Sequence, residues 1–137
     1  MEFKKRKNII PRQIKNINTS KNIRKYIHNI ETIAENINKY IHTNQNKEYY
    51  IWPCSVHTIT LFLFGLYHKN FKGILDNSPN KVGSYMDGYK LFCYSFNEII
   101  EFDNENIVII ISGANAYIKE LDLQNKKVQI KLLEDFE

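Results

Sequence analysis

Glycine is scarce in this chain: five residues among 137, with only three prolines. The two cysteines, Cys54 and Cys93, stand far apart with no CxxC spacing. That argues against a zinc site and against a disulfide framework, and each cysteine reads instead as a small apolar packing residue. No apolar run approaches the ~18 residues of a membrane span. The N-terminus, MEFKKRKNIIPRQ, carries charge but no apolar h-region behind it, so it does not read as a secretory signal. No metal and no membrane are therefore expected, and the expected compartment is cytoplasmic. No internal repeat is visible.

What is present suits one folded domain with an appendage. The apolar fraction of 43% supports a real core, and an aromatic content of 13% does not fit a disordered chain. Asparagine, isoleucine and lysine are abundant, a bias that makes lysine excess uninformative by itself. The net charge of +4 conceals an asymmetry: residues 1–47 hold eleven Lys/Arg against three Glu, and residues 48–137 hold eight against twelve acids. The basic character belongs to the N-terminal arm. Such an arm suits nucleic acid, an anionic surface or an acidic partner. The simpler reading is a solvated arm. Nucleic acid fits poorly, since arginine is sparse and few aromatics interleave the basic residues.

Residues 1–20 show no sustained period and include Pro11, which reads as an irregular lead-in. From Asn22 to His42 the pattern sharpens. Ile23, Ile27, Ile30, Ala34, Ile37 and Ile41 recur at steps of four and three, one face of an amphipathic helix that Thr19 or Ser20 would cap. That face suits either a coiled-coil homodimer through residues 22–42 or packing on the chain's own domain. Strand-like runs follow at 48–52, 71–76, 89–94, 107–112 and 127–133. Helical patterns intervene at 56–66, 95–102 (with Ser95 as cap) and 113–124. The run IVIIIS (107–112) is the mark of a strand buried on both faces of a parallel sheet. The alternation predicts an α/β fold: a Rossmann-like parallel sheet of about five strands with helices on both faces, preceded by the amphipathic helix. The division is an arm and helix over 1–46 and a nucleotide-binding domain over 47–137.

Ligands of such sheets sit beyond the carboxyl ends of the strands, where strand order reverses. The candidate site is therefore the first loop, Trp52, Pro53, Cys54, Ser55, Val56, His57 and Thr58, with the end of the second strand, Asp76 and Asn77, and the turn Ser112, Gly113, Ala114 and Asn115. The helix beginning near Val56 offers unpaired N–H groups and a dipole that favours an anion. A dinucleotide loop places glycines here so that a pyrophosphate can approach the backbone. This chain has Pro53, which lacks an N–H, and Cys54 and Ser55, which carry β-carbons. Ser55, His57 and Thr58 are candidate replacement donors, although Ser55 is equally a plain N-cap and His57 an ordinary surface or core histidine. Asp76 is placed either to accept from ribose hydroxyls or to cap the turn it begins. Gly113 suits a ligand-facing N–H or a simple strand-to-helix turn.

The segments YYIWPCSVHTITLFLFGL, FKGILDNSPNKVGSYMDGYKLFCYSFNEI and IVIIISGANAYIKEL resemble the Rossmann-like C-terminal domain of bacterial sugar methyltransferases. In that family the first loop reads Trp/Tyr-Gly-Ala-Gly-x-His-Thr, the second strand ends in Asp-Asn-x-Pro-x-Lys-x-Gly, and the fourth opens onto Gly-Ala. A similar layout occurs in the nucleotide-sugar-binding domain of bacterial sugar N-acetyltransferases. The likeness spans roughly residues 48–133. It implies a module that binds a nucleotide sugar or dinucleotide in glycan assembly, with His57, Thr58, Asp76, Asn77 and Ser112–Ala114 on the matching positions. Pro53, Cys54 and Ser55 stand where that family has Gly-Ala-Gly. The expectation is a module without the methyltransferase domain that usually precedes it, since no glycine loop for S-adenosylmethionine is found in these residues.

Three functions follow as expectations. The chain is a stand-alone binding module for a nucleotide sugar, serving a separately encoded sugar-modifying enzyme. Or it is a degenerate domain used for interaction or oligomerisation. Or it is a small enzyme on nucleotide sugars, for which the sequence offers no clear nucleophile–base pair. The identity of any cofactor is not legible.

Overall fold

The computed structural model of the chain describes residues 9–113 and 126–137, with side chains from residue 20 onward. Helix α1 spans Ile9–Thr43. It is followed by β1 (Glu48–Trp52), α2 (Val56–Leu63), β2 (Gly73–Asp76), β3 (Cys93–Ser95), α3 (Phe96–Glu101), β4 (Ile107–Ile111) and β5 (Gln129–Leu132). The five strands form one all-parallel sheet in the order β3-β2-β1-β4-β5. This is the expected Rossmann-like arrangement. The chain starts at the middle strand, builds outward to β3, then crosses back to lay β4 against the other edge of β1. Strand order therefore reverses between β1 and β4.

Side chains of the middle strands alternate between two cores. Tyr49, Ile51, Ile74, Val108 and Ile110 face α1 and α2. Tyr50, Trp52, Leu75, Ile107, Ile109 and Ile111 face α3. All five residues of β4 are buried, as the β-branched run predicts. Each fully buried isoleucine stabilises the fold by roughly 1.5–3 kcal/mol relative to exposure. Gly73 has a packing reason: a β-carbon there would come within 2.5 Å of the Tyr94 ring, which lies over β2. Helix α2 ends at Leu63, where Leu66 N–H reaches back to Leu61 O at 2.9 Å and Gly65 takes a φ of 121°.

Several boundaries differ from the sequence reading. Residues 9–20 belong to α1, so Thr19 and Ser20 lie inside the helix and neither is its cap. Pro11 lies within the described helix. Within the sharper period, residues 20–29 are exposed except for half-buried Ile27. From Ile30 onward the stripe packs on the chain's own sheet, with Ile30, Ala34, Ile37 and Ile41 buried. Asn38 reinforces this contact, donating to Gly65 O at 2.9 Å and accepting from Tyr67 N–H at 3.0 Å. The strand expected at 89–94 is confined to Cys93–Ser95, because residues 84–92 fold back on themselves through Met86 N–H to Leu91 O. Ser95 precedes α3, but its side chain makes no capping bond. The last strand stops at Leu132, and a 3₁₀ turn (Leu133–Phe136) follows. The helix expected at 113–124 lies outside the described residues from Ala114 onward.

Candidate functional site

The first loop follows β1 with a cis peptide between Trp52 and Pro53. It then bends across the end of β2. Cys54 N–H donates to Asp76 Oδ2 at 3.0 Å, while Asn77 and Ser78 N–H donate to Asp76 Oδ1 at 2.8 and 2.9 Å. The Asp76 carboxylate thus does two jobs: it caps its own turn, and it ties that turn to the first loop. Its side chain is only 14% exposed. Asn77 is exposed beside it.

Lys81 closes the arrangement. Its Nζ donates to Cys54 O at 2.7 Å and stands 3.9 Å from Asp76 Oδ2. Sequence reasoning did not single out Lys81, although it is the lysine of the quoted DNSPNK run. The signal was present in that motif, but nothing in the sequence showed the lysine reaching back to the first loop.

The first turn of α2 is capped by Ser55, whose Oγ accepts from His57 N–H at 3.3 Å. Val56 and Thr58 N–H, in the first turn, have no intrahelical acceptor. Val56 and His57 are exposed. The His57 ring lies against Gly113, where a β-carbon would come within 3.0 Å of Cδ2. Gly113 thus lets the imidazole lie over the turn after β4.

Thr58 and Ser112 take a different part. Both are buried, with their hydroxyls 2.7 Å apart. Thr58 Oγ1 donates to Pro53 O at 2.6 Å, and Ser112 bonds Trp52 O through its N–H (2.7 Å) and its hydroxyl (3.1 Å). This network occupies the crevice between β1 and β4 and joins the two loops there. The structure therefore brings Trp52–Thr58 together with Asp76–Asn77 on one side and Ser112–Gly113 on the other. Ala114 and Asn115 lie outside the described residues.

An open cleft of about 510 Å³ adjoins the first loop. Cys54, Ser55 and Val56 form one wall and Asn80, Lys81 and Tyr85 another, with Asp87 at the rim. Tyr85 is 66% exposed and meets Phe92 edge-on, with ring centroids 5.4 Å apart. Its outer surface is open to a flat partner. A hollow of about 380 Å³ between α1 and the C-terminal turn shares no residue with these loops. Lys39, Lys131, Asp135 and Glu137 are among the residues that line it.

Burial pushes the Cys54 thiol above its ordinary range, an effect that Lys81 partly offsets. Burial pushes Cys93 up further, to about 12. Neither thiol is poised as a thiolate nucleophile, and no nucleophile–base pair is assembled at this cleft among the described residues. No group of three or more His, Cys, Asp or Glu among the described residues could hold a metal ion. No helix there is long and apolar enough to cross a membrane. No protein family, curated protein or solved structure matches the chain.

Proposed function

We propose that the chain is a binding module for a small phosphorylated ligand of the nucleotide-sugar class, seated in the cleft beside the first loop. One observation carries this reading: the N-terminus of α2 and the Lys81 ammonium border the same open cleft, just beyond the carboxyl ends of β1 and β2. Helix N–H groups and a lysine are the usual partners of a phosphate. Ser55, Val56 and Lys81 would hold the phosphates, and the exposed Tyr85 ring would stack on the base or sugar. Asp76 acts by holding the loop in place. The motif resemblance supplies the ligand class, and a sugar-modifying enzyme is the partner it implies.

The grip differs from a glycine loop because Cys54 N–H is turned inward to Asp76 and Pro53 has no N–H. Affinity no tighter than micromolar is expected. Titration calorimetry against UDP-, GDP- and dTDP-sugars tests this directly. Lys81→Ala should weaken binding by about 1–3 kcal/mol, the range for a hydrogen bond to a charged group. Absence of heat with every nucleotide sugar would end this reading. It would favour an interaction module instead, for which exposed Ile23 and Tyr26 on α1 are the supporting observation.

A further inference from the structure

The exposed part of α1 carries charge of one sign. Lys21, Arg24, Lys25 and His28 are all exposed, and their spacing of i, i+3, i+4 and i+7 aligns them along one face of the helix. Residues 20–30 contain no Asp or Glu. Among the described residues no ion pair engages Lys21, Arg24 or Lys25. The opposite charge stands on α3. Glu98, Glu101 and Phe102 are exposed and share one face, again at i, i+3 and i+4. Phe102 follows the last helical residue but keeps helical geometry, with φ −62° and ψ −26°, and is 64% exposed. Residues 95–106 hold four acids and no base. Two lysines reach the far edge of this run: Lys127 N–H donates to Asp103 Oδ1 at 2.6 Å and Lys47 Nζ to Glu105 O at 3.2 Å. Among the described residues no ion pair engages Glu98 or Glu101.

These two patches cannot meet within one chain. Helix α1 packs on one face of the sheet through Ile30, Ala34, Ile37 and Ile41, and α3 packs on the other through Phe96, Ile99 and Ile100. We propose that the cationic face of α1 is the docking surface for α3 of a second copy, so that the chain self-associates head to tail. Charge complementarity selects this occupant. The basic arm and the acidic body of one sequence supply both halves of the contact. The shared spacing lets Glu98 and Glu101 pair with Lys21 and Lys25, while the Phe102 ring takes the Arg24 guanidinium on its face.

The contact is heterologous, because it joins two different surfaces. With those surfaces on opposite faces, a pair of chains leaves one α1 and one α3 free at its ends, and further copies can add. Exposed ion pairs in so small a contact hold weakly and are screened by salt. In dilute protein the chains separate, so unfolding measured there reports the single chain. None of these residues lines the cleft beside the first loop, so the contact is independent of what that cleft binds.

Sedimentation equilibrium of the full chain tests this without any ligand. At an ionic strength of about 0.01 M, the average mass should rise above that of one chain as protein increases from about 1 μM to about 1 mM. It should fall back in about 1 M salt. Arg24→Glu with Lys25→Glu should weaken association about tenfold or more, and so should Glu98→Lys with Glu101→Lys. These two variants move the net charge in opposite directions, so a general charge effect does not explain a loss in both. Combining all four substitutions exchanges the charges and should bind more tightly than either pair alone. All four positions are exposed, so the fold withstands the changes. A wild-type chain that stays monomeric at low salt would overturn the proposal. So would association that either pair leaves intact, or a combined variant no tighter than the pairs.

Discussion

At the scale of single residues, Asp76 decides the form of the site. Its position at the end of β2, some twenty residues after the first loop, is legible in the sequence, as is the turn that Asp-Asn-Ser-Pro begins. Its third bond, to Cys54 N–H, is not legible, since it depends on how the loop bends after Pro53. Asp76→Ala removes the acceptor of three backbone N–H groups. A loss of about 1–3 kcal/mol in unfolding free energy is expected, the range for a hydrogen bond to a charged group, measurable by urea denaturation. A change within about 0.5 kcal/mol, as for a plain surface substitution, would mean the carboxylate does not hold the loop. Cys93 gives a second residue-level test. Its thiol, ordinarily ionising near 9.0, is pushed up to about 12 in the folded chain. The unfolded chain therefore gives up this proton first. The stability this group contributes is present below pH 9.0 and is lost as pH rises toward 12. In reductant, Cys93→Ala should flatten the alkaline decline in stability; equal slopes for the two proteins would contradict the assignment.

At the scale of elements, the strands and the helices with a buried face were legible because burial imposes a period on the sequence. β4 reads as β-branched residues throughout, and the second half of α1 as isoleucines at helical spacing. Residues 9–20 read as an irregular lead-in because no apolar period marks that stretch of the sequence, yet they belong to α1. β3 was placed too early because Leu91 is buried without belonging to a strand, so hydrophobicity alone could not fix the boundary. The two halves of α1 should respond differently to mutation. Ile37 is fully buried, and Ile37→Ala should cost about 2–5 kcal/mol. Ile23 is 50% exposed, and Ile23→Asp should change stability by no more than about 0.5 kcal/mol. Chemical denaturation of both variants checks this, and comparable losses would show that the first half of α1 also packs against something in solution.

At the scale of the whole molecule, alternation of strands and helices pointed to a parallel α/β sheet, and the sheet has that form. The topology explains why the loops after β1, β2 and β4 meet. It does not explain what they hold, because the details there depart from a dinucleotide loop. Among the described residues, Thr58 and Ser112 bridge the β1–β4 crevice, and an open cleft lies to the other side of the first loop. That displacement rests on hydroxyl contacts between residues 54 positions apart, which local sequence cannot display. The central claim is that this displaced cleft takes a phosphorylated ligand. Amide-detected NMR of the full chain, titrated with a nucleotide sugar, tests it most directly. The account predicts saturable shift changes concentrated at the amides of residues 54–59 and 80–87, with those of β5 unmoved. No change at millimolar ligand, or changes confined to residues outside the cleft, would contradict it.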